Sequence, residues 1–346
     1  MMHQLQKVYG YGLGLVIAFV ILFVVSIHMG TITIPINGAI DEITRAIGFV
    51  NGIGAPLDDN QRAVFWFIRL PRLLVGVLVG SALATAGAVM QGVFANPLAD
   101  PGVVGVSSGA SLGAVIAIAL GLTSVSMFYM PLFAFGGAFG AVVLIVGLAM
   151  RDNKVQPITL LLSGVAVSLF LGALTSGLLT FMNEYRLREF LFWMVGGLDY
   201  RRWEHVVIAI GPIIVGISVL FMLARHLNVL VLGDVEARAL GQSVMFYRLL
   251  FLSIASVITA TAVCVSGFVG FVGLVVPHIM RILVGPDHRS LLPLSALAGA
   301  VFLVFCDTLG RVILTPIEIR LGIMTALVGA PYFLFLLRRL RAEGGI

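Results

Sequence analysis

The sequence predicts an all-α polytopic membrane protein of about ten transmembrane helices in a single domain, residues 1–346, and three observations carry that expectation. Of the 346 residues 60% are hydrophobic and only 11% charged, a mean hydropathy of +1.11 that no soluble core needs. Between Arg69 and Gly113 the chain reads RLPRLLVGVLVGSALATAGAVMQGVFANPLADPGVVGVSSGASLG. Charges at the entrance, then a helix-length apolar run, then two prolines close together describe one crossing, a turn and the next crossing. Comparable apolar runs recur at 11–29, 70–93, 102–122, 129–150, 157–182, 204–224, 247–266, 267–284, 291–309 and 321–337, and about 20 residues suffice to cross about 30 Å of hydrocarbon.

Taken in order, the run at 11–29 continues as SIHMGTITIP with no small-residue cleavage pattern, so it is expected to stay as the first helix rather than leave as a signal peptide. Residues 38–50, GAIDEITRAIGFV, set Ile40, Ile43, Ile47 and Val50 at helical spacing, which predicts a helix lying along the membrane surface. Gly76 and Gly80, Gly105 and Gly109, Gly109 and Gly113, and Gly136 and Gly140 are spaced for close helix packing within the bilayer. The connection 225–248 contains a short helix for which Asp234 is the expected N-cap, Arg238 the ion-pair partner and Gly241 the terminator. So few residues nucleate poorly alone, which asks for a partner surface. Gly267, Gly270, Gly273 and Pro277 predict a shortened or broken eighth helix. RRLR at 338–341, directly after the last run, places both termini on the cytoplasmic side.

Several chemistries are excluded. The only lysines, Lys7 and Lys154, are each followed by valine, so the chain holds no GxxxxGK[ST] phosphate loop and any ATP chemistry must come from another subunit. There is no HExxH and no His–carboxylate cluster at ligand spacing, so no catalytic or metal-binding residue is assigned. Cys264 and Cys306 sit singly in apolar runs and read as packed small side chains. The net charge of +5 follows from topology and implies no nucleic-acid partner. An ion-coupled secondary transporter would use ionisable groups inside helices; His28, His278 and Asp307 are the candidates, with interfacial or cap-like roles as the alternative.

RLPR, GAVMQGVFANPLADPGVVGVSSGASLGA, LNVLVLGDVEARALG, GFVGFVGLVVPHIMRILVGPDHRSLLP and LGIMTALVGAPYFLFLLRR together resemble the FecCD/BtuC family of permeases. The resemblance implies a type II ABC importer permease fold in the inner membrane, moving a ferric chelate (siderophore or haem), or alternatively cobalamin, from periplasm to cytoplasm. The implied partners are a second permease subunit, most simply a homodimer, two cytoplasmic ATPase subunits and a periplasmic substrate-binding protein. The chain is then not an enzyme and binds no cofactor itself, ATP and Mg belonging to the ATPase. Carried over residue by residue, Arg69, Arg72 and Arg311 dock the binding protein as a basic rim, Gly233, Asp234, Glu236, Ala237, Arg238, Leu240 and Gly241 couple to the ATPase, and Asn96 and Leu98 form the cytoplasmic gate. One departure stands out: where relatives often read EIPxG, this chain has Glu318-Ile319-Arg320-Leu321-Gly322.

Overall fold

The computed structural model describes residues 2–46, 48, 56–151, 154–155 and 157–342. In chain order its helices are α1 (Met2–His28), α2 (Ile36–Ala46), α3 (Asp59–Val64), α4 (Leu70–Val93), α5 (Val106–Ala119), α6 (Tyr129–Ala149), α7 (Pro157–Thr180), α8 (Glu184–Val195), α9 (Trp203–Met222), α10 (Ala224–Leu230), α11 (Asp234–Ala239), α12 (Val244–Ser266), α13 (Val272–Val284), α14 (His288–Val312) and α15 (Leu321–Ala342). Among the described residues seven helical stretches are long and apolar enough to cross a membrane, and Val106–Ala119, Val272–Val284 and Leu321–Phe335 are shorter apolar helices. Together these correspond to the ten runs read from the sequence.

The second crossing begins earlier than its apolar run. Asp58 and Gln61 form a reciprocal capping box, with Gln61 N–H donating to Asp58 Oδ1 at 2.6 Å, and helical structure is continuous from Asp59 to Val93. A π turn at Phe65–Arg69 joins α3 to α4. Pro71 cannot donate to the carbonyl four residues back, and the wider turn falls where that bond is lost.

This second crossing is the core of the bundle: 83% of its most apolar stretch is buried inside the chain, against 11% for α1, which is peripheral. α4 packs on α14, α12, α13 and α9, while α5 pairs with α6. Because lipid is as apolar as a leucine side chain, close backbone approach holds such helices together, and glycine permits it. A Cβ at Gly87 would land on the carbonyl oxygen of Gly273, and one at Gly80 on that of Gly299. On α5 Gly109 meets Gly137 and Gly113 meets Phe133. Gly136 and Gly140, by contrast, face open space, so within this chain the packing residue of α6 is Gly137, one position from the spaced pair.

Three further expectations are refined. α2 is helical as read; its buried side holds Gly38, Ala39, Asp41 and Glu42, and of the spaced apolar residues Ile43 packs inward while Ile40 is exposed. Asp41 pairs with Arg45 at 2.9 Å and Glu42 with Arg62 at 2.6 Å. Ile47 and Val50 lie outside the described residues. The eighth run is interrupted as expected: α12 stops at Ser266, Gly267–Phe271 is irregular and α13 follows with 13 residues. The connection 183–203 folds into the 12-residue α8, which apolar pacing does not predict; Asn183 caps it by accepting from Arg186 N–H at 3.0 Å.

Candidate functional site

The two ends of the bundle carry different chemistry. At the end where α4 begins and α14 finishes, charges from four parts of the chain meet. Arg72 donates to both oxygens of Asp307 at 2.8–3.1 Å, to Glu318 at 2.8 Å, and lies 3.3 Å from Asp199. Arg311 reaches back one turn to Asp307 at 3.5 Å and donates to Ser26 Oγ and its carbonyl at 2.8 and 2.9 Å. Arg69 donates to the carbonyls of Ile27 and Ile32, closing the connection after α1. Arg320, the family departure, pairs with Asp199 at 3.5 Å, donates to the Phe192 carbonyl at 3.2 Å and lies 4.3 Å over the Phe192 ring, so it clasps α8 to the start of α15.

The sequence-derived set of Arg69, Arg72 and Arg311 is therefore brought together, but turned inward. Their exposures are 5%, 8% and 7%, and what faces outward at this end includes Glu318, Asp199 and Arg320. An isolated buried guanidinium is costly and finds a carboxylate or carbonyl wherever one can reach; here Asp199, Asp307 and Glu318 supply three negative charges to Arg72, Arg311 and Arg320. Arg69, Arg72 and Arg311 themselves therefore form no exposed rim in this single chain. Asp307 refines a second expectation: it is a buried partner of two arginines inside α14, not a cap. The i,i+4 spacing of Asp307 and Arg311 was the signal for it. Burial pushes the Asp199 carboxyl up. For Glu318 burial acts the same way but is outweighed by Arg72, which holds it below the usual carboxylate range.

At the opposite end, α10 packs against α4, α12 and α14, and the short α11 rests on α10 and α12. The N-cap of α11 is Gly233, at φ +116°, rather than Asp234. Asp234 is instead the first helical residue, and its carboxylate is held by the buried Arg248 of α12 at 2.6 and 3.3 Å, with Arg238 at 3.7 Å as the weaker partner. Termination follows the sequence reading: Gly241 at φ +80° lets its N–H donate to Arg238 O and Gln242 N–H to Ala237 O, both at 2.9 Å, a Schellman motif. Ala237 is fully buried, whereas Val235 is 73% and Leu240 65% exposed, and Glu236 and Arg238 also face outward. α10 is fixed in turn by Asn228, which donates to Asp287 at 2.7 Å and accepts from His288 N–H at 2.9 Å, and by His226 stacked 4.3 Å from Tyr247.

The Arg248 bond lowers the Asp234 carboxyl below its ordinary value, against opposing burial. Its contribution to α11 is therefore complete at neutral pH and is lost as pH falls through the depressed value. Hydrogen exchange across residues 233–241 should accelerate in acid relative to the flanking α12 amides, and in Asp234→Asn already at neutral pH. Exchange in Asp234→Asn equal to that of the parent chain at pH 7 would refute the anchor.

Also at this end, α4 stops at Val93 and Ala95 adopts φ +46°. Asn96 Oδ1 then accepts the Leu98 N–H at 2.9 Å, a side-chain turn that leaves both Asn96 and Leu98 half-buried. Between the ends, an apolar cleft of about 550 Å³ runs along the outer side of α15, lined by Phe268, Gly270, Phe271, Gly322, Ala326 and Ala330 among others. Its lining is apolar throughout, mixing glycine and alanine with Phe268 and Phe271 and with the aliphatic Ile323, Leu327 and Leu334.

The FecCD transport family model matches residues 18–339. The cobalamin import system permease protein BtuC of Halobacterium salinarum is 44% identical over 322 residues, covering 89% of this chain and 86% of that one. The hemin transport system permease protein HmuU of Yersinia pestis is 40% identical over 83% of this chain and 86% of its own. The Fe(3+) dicitrate transport system permease protein FecD of Escherichia coli is 39% identical, with coverages of 91% and 94%. A solved inward-facing metal-chelate type ABC transporter superposes with a TM-score of 0.83 at 32% identity, covering 95% of this chain and 98% of that one.

Proposed function

Because the chain belongs to the FecCD transport family and is a membrane-embedded permease of an ABC importer, we propose that it moves a metal held in a bulky organic chelate across the cytoplasmic membrane. A ferric chelate, siderophore or haem, is the first reading; the identity to a relative named for cobalamin import supports cobalamin as the second. The observation that carries the proposal is the open apolar cleft along α15. In a dimer a second copy facing this cleft would complete a passage of apolar surface suited to a large ligand that must not be held tightly. In that dimer Asn96 and Leu98, on their turn at the α11 end, approach their counterparts as the cytoplasmic gate.

In the same reading two ATPase subunits, carrying ATP and Mg, seat on α10–α11, both termini are cytoplasmic, and a periplasmic binding protein docks at the Arg72 end. Docking there exchanges partners: acidic residues of the binding protein compete with Glu318 for Arg72, since bidentate arginine–carboxylate pairs orient as well as attract.

Proteoliposomes holding the chain, a P-loop ATPase subunit and the binding protein should accumulate labelled ferric chelate on ATP addition, and liposomes with the chain alone should not. Uptake by the chain alone, driven by an ion gradient, would reject the importer reading; accumulation of labelled cobalamin but not of ferric siderophore or haem would select the second substrate. Glu318→Gln should tighten binding-protein docking and high salt should weaken it. Affinity indifferent to both would remove the docking assignment.

A further inference from the structure

At the Arg72 end, a cavity of about 360 Å³ lies among the connection before α6, α8 and the start of α9, lined by Met130, Glu189, Trp193, Arg201, Arg202 and His205 among others. It adjoins an apolar groove of about 330 Å³ between α6 and α9, lined by Phe128, Leu132, Phe135, Ile208 and Pro212. Pro131 and Cys264 line both. The groove opens to the side of the bundle, where Leu132 and Phe128 are exposed.

The polar cavity has an excess of donors. The Arg202 backbone N–H donates to His205 Nδ1 at 3.2 Å, so the neutral ring carries its proton on Nε2. That N–H faces Arg201 Nη1 at 3.3 Å, and a guanidinium cannot accept; two donors confront each other with no acceptor between them. Arg201 Nε and Trp193 Nε1 are also buried without a partner among the described residues, and Trp193 is 93% buried as a residue, its exposure being 7%. Buried donors left unpaired are costly and rare. Burial pulls Arg201 down to about 10, which leaves it charged at neutral pH. Glu189 stands in the same lining without an ion pair or hydrogen bond among the described residues.

We propose that the joined cavities hold one phosphatidylethanolamine-type phospholipid of the surrounding bilayer, its phosphate accepting from Arg201, His205 and Trp193, its ammonium toward Glu189, and one acyl chain in the groove. The phosphate supplies the shared acceptor that the donors lack. The amine matches Glu189, the carboxylate in this lining without a partner among the described residues. The groove continues from the polar cavity along membrane-spanning helices, as a lipid chain requires and a soluble anion does not. This inference needs only that the chain sits in a bilayer, so it stands apart from the choice of transported substrate.

Native mass spectrometry of the delipidated, detergent-purified full chain tests it with four probes: dioleoylphosphatidylethanolamine, dioleoylphosphatidylglycerol, diolein and inorganic phosphate. One phosphatidylethanolamine should be retained, diolein should not, and millimolar phosphate should fail to displace the lipid. Arg201→Gln should weaken retention by about tenfold or more, the size of one charge-assisted hydrogen bond. Ile208→Trp, which fills the groove, should abolish it, and Glu189→Gln should erase the preference over phosphatidylglycerol. Where Arg201→Gln does not fold, Trp193→Phe keeps an aromatic side chain, removes the indole N–H together with the five-membered ring and should weaken retention in the same direction. Retention unchanged by both the donor and the groove variants, equal retention of diolein, or displacement by phosphate alone would overturn the proposal.

Discussion

Arg72→Met should destabilise the chain by about 3–5 kcal/mol, the cost of removing one member of a buried ion pair. Arg72 is the group through which Asp307, Glu318 and Asp199 are tied together, and two helices and two connections depend on it: α4 contributes the arginine, α14 contributes Asp307, the segment before α15 contributes Glu318 and the segment before α9 contributes Asp199. Without the guanidinium, Asp307, only 6% exposed, keeps Arg311 alone at 3.5 Å. Adding Asp307→Leu to Arg72→Met removes the stranded carboxylate but leaves the buried Arg311 with Ser26 as its remaining partner, so the double variant should recover only part of the loss; apolar replacement is near neutral only where no third charge is stranded. Denaturant unfolding of the four chains of the double-mutant cycle, followed by helix content in detergent, measures this directly. Additive single-variant losses would mean that the contact carries no coupling. The cycle also bears on docking: Arg72→Glu would collapse this network whether or not a binding protein touches it, so Glu318→Gln is the cleaner probe.

The crossings were legible because their signal is local. An apolar run and its flanking prolines and charges lie within about 25 residues, and hydrocarbon thickness sets the length. The ends of the bundle were legible only in part. Arg69, Arg72 and Arg311 could be placed at helix termini, but their direction depends on partners 235 and 246 residues away in the chain for Arg72 and 285 for Arg311. No periodicity reports such distant pairings. α8 escaped for another reason. Its sequence EYRLREFLFWMV is charged in its first half and too short to cross, and only the Asn183 cap marked it. Arg248 was visible as a charge on the membrane side of the 225–248 connection, yet its role as anchor depends on α11 folding back onto α12. The glycine contacts divide the same way. Gly109 and Gly113 were readable from spacing, while the meeting of Gly87 with Gly273 required the tertiary fold.

Val235→Asp combined with Leu240→Asp should abolish association with the ATPase subunits while leaving the permease folded. Both side chains are large, apolar and more than half exposed on a short helix whose internal seat is made by Ala237 and by the Asp234–Arg248 pair. Exposed apolar side chains flanked by charges are the pattern of an interface centre with a polar rim. Truncating such a centre costs about 2 kcal/mol or more per key side chain, about thirtyfold in affinity, and burying a carboxylate there costs further. Glu236→Ala with Arg238→Ala should act more weakly, and its effect should shrink as salt rises, because exposed charges contribute little net energy and are screened. The two pairs thus separate apolar seating from electrostatic guidance. Binding of purified ATPase subunit to each full-length variant, with ATP-driven uptake in proteoliposomes, reads both. Unchanged uptake in the Val235→Asp, Leu240→Asp chain would show that the stroke enters elsewhere. Loss of helix content in that chain would instead mean that these side chains support the fold, in which case Val235→Ser with Leu240→Ser, which removes the apolar contact without adding charge, must still lose ATPase binding for the coupling role of Gly233 to Gly241 to stand.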